Sequence, residues 1–330
     1  MKVLKHIVDR FIVTRELGPL TLLVILSVVF YFLKPAFLSI MNISNMLAFI
    51  PELGIIALGM TFLLTGGEFD LSVGSLFGFC PVFMFIMKNE GFLNIELAFA
   101  VSLIIAAVIG LVNGFLVTKV GISSFLVTIG MMLVVRGCGL YISHGFPQST
   151  WESESPLKTA LVGSMQIGNG DLKVFASLMW FIALIFLMYY ILNKTKFGNW
   201  IMATGGDKQA ARARGIKTDN VKMILFMITS LLAGFAGIID SFRIASAYPI
   251  AGTGYELEVI AMTVIGGTSL FGGRGTIIGT VIGVTLLRAI RNGIIVIGVP
   301  GLAYNIFVGV IILIMMAVHA LIEKKTRGGS

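Results

Sequence analysis

Residues 95–117 read IELAFAVSLIIAAVIGLVNGFLV, an apolar run with a single charged side chain, Glu96. A helix needs about 20 apolar residues to cross a bilayer, and this run is long enough. Over the whole chain, 57% of the residues are hydrophobic, 12% are charged, and the mean hydropathy is +0.99. A soluble protein could not cover that much apolar surface. The sequence therefore predicts an all-α polytopic membrane protein.

Similar runs recur along the chain and predict about ten transmembrane helices in a single domain, residues 1–330. The predicted spans are Pro19–Leu33, Met46–Thr65, Leu71–Met87, Ile95–Val117, Ser123–Ser143, Val174–Leu192, Met223–Ser241, Leu257–Phe271, Thr276–Ile290 and Ala303–Ile322. The first, eighth and ninth are short for a full span. We therefore expect broken or re-entrant helices near the glycine-rich motifs described below.

The distribution of lysine and arginine predicts that both termini are cytoplasmic. With the N-terminus inside, the inside segments contain sixteen of these residues and the outside segments five, as the positive-inside rule requires. The cytoplasmic parts are then residues 1–18, the loop 193–222 and the tail 323–330, and residues 144–173 form an external loop. The same bias accounts for the net charge of +8, so we expect a lipid bilayer as partner and no nucleic acid.

The segment 65–75, TGGEFDLSVGS, places carboxylates, hydroxyls and glycines between two apolar runs. Non-helical backbone at membrane depth persists only when it is buried in protein or lines a water-filled cavity. One interpretation is a translocation pathway or gate. The alternative is a tight turn in which Asp70 or Ser72 caps the next helix. The pathway candidates here are Gly66, Gly67, Glu68, Asp70, Ser72, Gly74 and Ser75.

A second glycine-rich segment, residues 265–276, reads IGGTSLFGGRGT and has the same character. Residues 110–114, GLVNG, are also echoed by residues 291–293, RNG. Internal repeats are common in transporters, whose pathways lie at the repeat interface. No segment has the pattern of an ATP-binding phosphate loop. The further pathway candidates are Asn113, Gly266, Gly267, Thr268 and Ser269.

The hydrophilic loop 193–222 contains a short predicted helix. Gly205 and Gly206 precede it, Asp207 is its expected N-cap, and residues 208–214 favour a helix that ends at Gly215. A helix of about two turns is not stable alone, so packing or a partner must hold it. The alanines at 210, 211 and 213 give it a thin face that could enter a groove. The alternative is a basic anchor on the lipid surface.

The remaining polar residues favour no catalytic or metal site. The three histidines are scattered without ligand spacing, and Cys80 and Cys138 lie in apolar runs as expected of small buried hydrophobes. Charged residues in or beside the spans are interpreted as snorkelling towards the membrane surface. They are Arg136, Asp240, Glu256, Glu258, Arg288 and Arg291. The scarcity of buried acid–base pairs argues against an ion- or proton-driven secondary transporter, and the dispersed His and Cys residues argue against a membrane enzyme.

Four ordered motifs resemble the permease subunits of bacterial ABC importers of the ribose, galactose and autoinducer-2 branch, over nearly the whole chain. They are residues 66–75, residues 204–216 with Gly206, Asp207, Ala210 and Ala211, residues 251–257 and residues 266–273. Glu68 departs from the family, which more often has a branched aliphatic residue there.

The resemblance implies a subunit of an ATP-driven importer of a monosaccharide or related small polar solute in the bacterial inner membrane. It implies two permease copies, as a homodimer or paired heterodimer, and a periplasmic or extracellular sugar-binding protein. Cytoplasmic ATP-binding subunits would bind the ATP, so this chain needs no cofactor. The segment that couples to the ATPase would contain Gly205, Gly206, Asp207, Ala210, Ala211, Gly215 and Ile216.

Overall fold

The structure is a computed structural model that describes residues 16–149, 155–167 and 172–300, with seven further positions between 303 and 313. Twelve α-helices lie within these residues. They are α1 (Leu17–Leu33), α2 (Ile40–Thr65), α3 (Val73–Asn89), α4 (Ile95–Phe115), α5 (Ser124–Ile142), α6 (Pro156–Val162), α7 (Ala176–Lys194), α8 (Lys196–Gly206), α9 (Lys208–Ala213), α10 (Thr218–Ile244), α11 (Tyr255–Ile265) and α12 (Ile277–Val296). A π-helical turn, Leu116–Val120, follows α4.

Six helices within the described ranges are long and apolar enough to cross a membrane: α2, α4 with its π-helical turn, α5, α7, α10 and α12. Helices α1 and α3 are also apolar but shorter. The all-α polytopic prediction is therefore confirmed. The tail 323–330, most of segment 1–18 and most of the predicted tenth span lie outside the described residues.

Helices α2 and α10 form the centre of the bundle. Every residue of α2 from Ile50 to Thr65 is buried. Glycines allow the neighbours of α10 to approach its backbone closely, as is typical of membrane helices. A Cβ atom at Gly110 of α4 would lie 2.5 Å from the Phe226 carbonyl oxygen, and one at Gly237 would lie 2.0 Å from the Phe77 carbonyl oxygen. The large apolar side chains that remain exposed, such as Phe32 and Phe186, suit contact with lipid.

The strands are short and lie among the loops. Strand β1 (Gln148–Ser149) pairs antiparallel with β4 (Ser246–Ala247), and β2 (Ser164–Ile167) pairs antiparallel with β3 (Leu172–Phe175). The Ser44 hydroxyl donates a hydrogen bond to the Lys173 carbonyl at 2.7 Å. These contacts gather the predicted external loop 144–173, the start of α2 and the end of α10 at one end of the bundle.

Three predicted elements differ from the structure. The eighth span is helical only as α11, whose 11 residues cover about 16 Å, because the chain turns at Gly266 and Gly267. The ninth continues past Ile290 to Val296, and Arg288 of this helix is buried inside the bundle. The loop 193–222 contains a second helix, α8, which the sequence did not predict; it begins where the Thr195 hydroxyl accepts a hydrogen bond from the Gly198 N–H at 3.2 Å.

Candidate functional site

Three pairs of glycines meet at the end of the bundle opposite the strands. We call this contact the glycine junction: Gly66–Gly67 after α2, Gly205–Gly206 at the end of α8, and Gly272–Gly273 before α12. A Cβ atom at Gly205 would lie 1.9 Å from the Thr65 carbonyl oxygen and 2.7 Å from the Gly273 nitrogen. The Gly273 N–H donates a hydrogen bond to that same carbonyl at 2.8 Å. The three segments therefore touch backbone to backbone.

Backbone conformation explains why glycine occupies these positions. Gly67, Gly272 and Gly273 have φ angles of +80°, +84° and +77°, a left-handed conformation that costs glycine little and other residues much more. Gly205 is required by space instead, because no side chain fits between Thr65 and Gly273. The turn after α2, for which a gate was one of two interpretations, therefore touches the α8–α9 segment, the predicted coupling element. Gly272 and Gly273 belong to the second glycine-rich motif but were not among the predicted site residues.

The turn between α2 and α3 is closed by a buried hydrogen-bond network. Asp70 is fully buried, and its Oδ1 accepts hydrogen bonds from the backbone N–H and the hydroxyl of Ser72 at 2.7 and 2.6 Å. Its Oδ2 accepts from the Ser230 hydroxyl at 3.2 Å and from Asn113 Nδ2 at 3.4 Å. Burial raises the pKa of Asp70, and these hydrogen bonds oppose the rise. The geometry fits the tight-turn interpretation at Asp70, with α4 and α10 anchored to the turn.

The other pathway candidates of the first motif have separate partners. Lys222 of α10 donates to the Glu68 carboxylate at 2.5 Å, so the unusual acid at this position is paired inside the chain. The Ser75 hydroxyl donates to the Met132 carbonyl of α5 at 2.8 Å. A Cβ atom at Gly74 would lie 2.4 Å from the Gly252 carbonyl oxygen, which explains the small residue there.

The candidates of the second motif, residues 266–269, form a turn against α12. A Cβ atom at Gly266 would lie 2.3 Å from the Gly279 carbonyl oxygen. Gly267 has a φ of +99°. The Thr268 hydroxyl accepts from the Thr276 N–H at 3.4 Å, and the Ser269 N–H donates to the Arg274 carbonyl at 3.0 Å. The contact with the first motif is made by Gly272 and Gly273, not by these four residues.

The predicted short helix of the loop is present as α9. Oδ1 of Asp207 accepts hydrogen bonds from the N–H groups of Gln209 and Ala210, both at 2.9 Å, as an N-cap does. The helix ends in a Schellman motif, because the Ile216 N–H bonds the Ala211 carbonyl and the Gly215 N–H bonds the Arg212 carbonyl. Gly215 has a φ of +82°. The predicted start and stop of this helix are confirmed.

The alanines of α9 do not share one face. Ala211 is only 3% exposed and packs inside the chain, whereas Ala210 and Ala213 are exposed. Asp219, in the first turn of α10, holds the helix in place. It forms ion pairs with Lys119 at 3.3 Å, with Lys208 at 3.6 Å and with Arg212. The predicted three-alanine docking face is therefore wrong, and the free surface of α9 contains Gln209, Ala210 and Ala213.

The expectation that charges beside the spans snorkel outwards is wrong for Glu258 and Arg288, which are buried, and for Asp240, which forms an ion pair within the bundle. Arg288 is 5% and Glu258 9% exposed. Arg288 donates to Glu52 at 2.9 Å, and the Tyr304 hydroxyl donates to Glu258. Arg243 pairs with Asp240 at 2.6 Å and also with Glu52. Glu52, which lies beside Pro51 in an apolar run, was not among the predicted charged residues, and buried acid–base pairs are more numerous than the sequence indicated.

The described residues offer no site for a metal ion, because no three His, Cys, Asp or Glu side chains are grouped closely enough among them. Cys80 is buried and Cys138 is exposed, and both are free thiols. Burial alone separates the two cysteines, so the expectation of two buried residues is correct only for Cys80. What the site offers is close backbone contact between three segments and polar side chains inside the bundle.

Comparison with known proteins identifies a family. The family of "Branched-chain amino acid transport system / permease component" matches residues 42–316. The ribose import permease protein RbsC of Escherichia coli K12 is 38% identical over 91% of each chain. The xylose/arabinose import permease protein XylH of Sulfolobus acidocaldarius is 31% identical over 89% of this chain and 81% of its own. The inner membrane ABC transporter permease protein YjfF of Escherichia coli K12 is 34% identical over 78% and 77%.

No solved structure matches the chain. The family match spans most of the sequence and includes all four motifs in which the resemblance was found. The apolar helices and the inner-membrane relative agree with a multi-pass membrane protein that transports rather than catalyses. The chain therefore belongs to the permease components of the branched-chain amino acid transport family, on the branch that contains the sugar import permeases.

Proposed function

We propose that this chain is the membrane-spanning subunit of an ATP-driven importer that moves a monosaccharide or a related small polar solute into the cytoplasm. Its relatives support the substrate class, because their names specify import of ribose and of xylose or arabinose. The name of a third relative specifies an ABC transporter. The chain has no phosphate-binding loop, so ATP would be bound and hydrolysed by separate cytoplasmic subunits.

The proposed topology has ten spans with both termini in the cytoplasm. The basic loop 193–222 defines the cytoplasmic end by the positive-inside rule. Three contacts at that end support the grouping: Lys119 with Asp219, Lys222 with Glu68, and Thr276 with Glu16 at the start of α1. The strands and residues 144–173 then lie on the outer side, where a sugar-binding protein would deliver the solute.

The coupling role of α9 rests mainly on the glycine junction. Gly205 lies two residues before Asp207, the N-cap of α9. It touches both the turn after α2 and the loop before α12. No compressible side chain separates these backbones, so a displacement of α9 would be passed on to α2 and α12. Ligand-driven change requires contacts that differ between two states. We place those contacts, and the gate proposed for Gly66, Gly67, Gly266 and Gly267, at this end of the bundle.

The proposed assembly contains two permease copies, a pair of ATP-binding subunits and the binding protein. ATP binding would close the ATPase pair and move α9 through the exposed residues Gln209, Ala210 and Ala213. The transmembrane helices would then reorient and pass the solute inward between the two copies. The basic residues of the loop, Lys194, Lys196 and Lys217, remain available for lipid headgroups.

Replacing Ala210 by aspartate tests this function. Ala210 is exposed on α9, so Ala210→Asp should leave the chain folded but lower ATP-dependent uptake by at least about tenfold and reduce co-purification of the ATP-binding subunits. Ala210→Ser is the matched control and should behave as wild type. Ala211→Asp is unsuitable because a carboxylate there would be buried.

Two outcomes would contradict the proposal. Normal uptake and normal ATPase co-purification with Ala210→Asp would exclude α9 as the docking segment. Uptake that persists without any ATP-binding subunit and collapses with the membrane potential would indicate a secondary transporter. The buried acid–base pairs found in the structure make that second measurement worth doing, since such pairs often mark ion pathways.

A further inference from the structure

A cavity of about 370 Å³ lies between α2, α10, α11 and α12. We call it the charged cavity: its wall contains Glu52, Asp240, Arg243, Arg288 and Arg291. Glu52 is 13 residues before the end of α2, which places it about 20 Å along the helix from the glycine junction. Arg243 lies in the last turn of α10, at the end of the bundle that meets the strands, so the cavity extends from the level of Glu52 towards the outer end of the bundle.

Charged side chains inside a membrane protein are costly and often mark the path of a solute or an ion, and five of them surround one space. Part of this cost is offset by the ion pairs that Glu52 makes with Arg243 and Arg288 and that Asp240 makes with Arg243. Among the described residues, the buried Nε atoms of Arg243 and Arg288 have no hydrogen-bond partner.

The lining suits a small neutral solute that carries several hydroxyls. Two carboxylates can accept hydrogen bonds from hydroxyls, and the guanidinium groups can donate to them. Phe49 and Tyr255 add aromatic surface, and ligand sites commonly combine such apolar walls with a few oriented polar groups. The volume is near the lower end of the usual 300–1,000 Å³. The half-exposed Ile295 at the rim leaves the cavity open on one side.

We propose that the charged cavity is a solute-binding station inside the membrane, where a monosaccharide pauses between delivery and release. The proposal rests on the proposed function for the direction of transport, but the binding step itself can be measured without transport. Asp240 and Arg291 are the informative residues. Neither belongs to the Glu52–Arg288 pair, so replacing them leaves the link between α2 and α12 intact.

The test measures D-ribose binding by saturation-transfer NMR. The full-length chain is held in lipid nanodiscs with its ATP-binding subunits and without binding protein. Wild type should bind ribose, and Asp240→Asn and Arg291→Met should weaken the signal at least about tenfold. Ile295→Trp, which adds bulk at the rim without altering an ion pair, should have the same effect. Arg136→Met on α5 removes an arginine outside the cavity and is the matched control. Unchanged thermal unfolding midpoints establish that the variants are folded.

Uptake supplies a second readout. The maximal rate should fall at least about tenfold in the cavity variants, while the half-saturating concentration stays constant because the binding protein captures the solute first. Three results would overturn the proposal: no ribose signal in wild type, full signal in all the cavity variants, or an equal loss in Arg136→Met. Binding of inorganic phosphate in place of ribose would also overturn it. ATP-independent uptake would instead refute the proposed function and leave the binding result standing.

Discussion

The glycine junction and the charged cavity both involve helix α2, at two levels about 20 Å apart. At the junction, backbones touch because side chains are absent: a Cβ atom at Gly205 would lie 1.9 Å from the Thr65 carbonyl oxygen. In the cavity, long side chains reach across open space, and Glu52 bridges Arg243 on α10 and Arg288 on α12. The first arrangement can transmit displacement, whereas the second can bind a solute.

The comparison also concerns tolerance to change. The backbone contacts of the junction leave no space for one more atom. Substitution there should therefore lower stability sharply, by an amount that depends on the position. The side chains of a charged network can rearrange, and oppositely charged partners can be replaced together. The loss of stability should therefore depend on which charges a substitution leaves without a partner. The following substitutions test that difference, beginning with the largest expected effect.

Replacing Glu52 alone should cause the largest loss of stability. Glu52→Met leaves Arg288 without its partner in a buried position, and breaking a buried pair costs about 3–5 kcal/mol. The double variant Glu52→Met with Arg288→Met should recover part of that loss, because Arg243 keeps Asp240. Thermal unfolding in detergent measures both. A double variant that is no more stable than the single variant would contradict the prediction that the Glu52–Arg288 ion pair is what stabilises these two buried charges.

At the junction, Gly205→Ala and Gly206→Ala form a matched pair. The added Cβ at 205 would lie 1.9 Å from backbone, whereas at 206 the nearest atom is Gly273 Cα at 3.7 Å. Overpacking costs about 1–3 kcal/mol, so Gly205→Ala should lower both the unfolding midpoint and the uptake rate, while Gly206→Ala should change neither measurably. Equal unfolding midpoints and uptake rates for the two variants would contradict the prediction that the backbone contact at Gly205 leaves no space for a side chain.

The smallest effect is expected at Glu68, a charged residue directly after Gly67 of the junction. Glu68→Gln keeps the shape of the side chain but removes the ion pair with Lys222. The Glu68 and Lys222 side chains are 15% and 8% exposed. A hydrogen bond to a charged group contributes about 1.5–3 kcal/mol, and the glutamine retains part of it, so we expect about 1 kcal/mol. Unfolding midpoints measure the change. A loss as large as that of Glu52→Met would mean that charge governs the junction as well.

Local signals made several parts of the structure predictable. The apolar runs gave the spanning helices because a bilayer leaves backbone groups no partner outside a helix. Helix α9 was predicted with its limits, since an Asp N-cap and a Gly at the αL position act within a few residues. The tight-turn alternative at Asp70 also depended on neighbours in sequence, Ser72 above all.

Other parts depended on residues far apart in the chain. Glu52 and Arg288 are separated by 236 positions, so no window of sequence could show that each neutralises the other. The snorkelling expectation failed for this reason, as did the expectation that Ala210 and Ala211 face the same way. The limits of α11 and α12 were misjudged because hydropathy alone does not register the turn at Gly266 and Gly267 or the burial of Arg288 inside the bundle.

The sequence by itself determined that the chain crosses the membrane several times, where its basic loop begins and ends, and which family it resembles. Composition and short motifs are enough for these, because the bilayer and the helix cap act on local stretches of chain. Only the tertiary structure decided that three glycine pairs meet in one junction and that five charges surround one cavity. Both depend on helices brought together from distant parts of the sequence, where packing geometry rather than local preference sets which atoms touch.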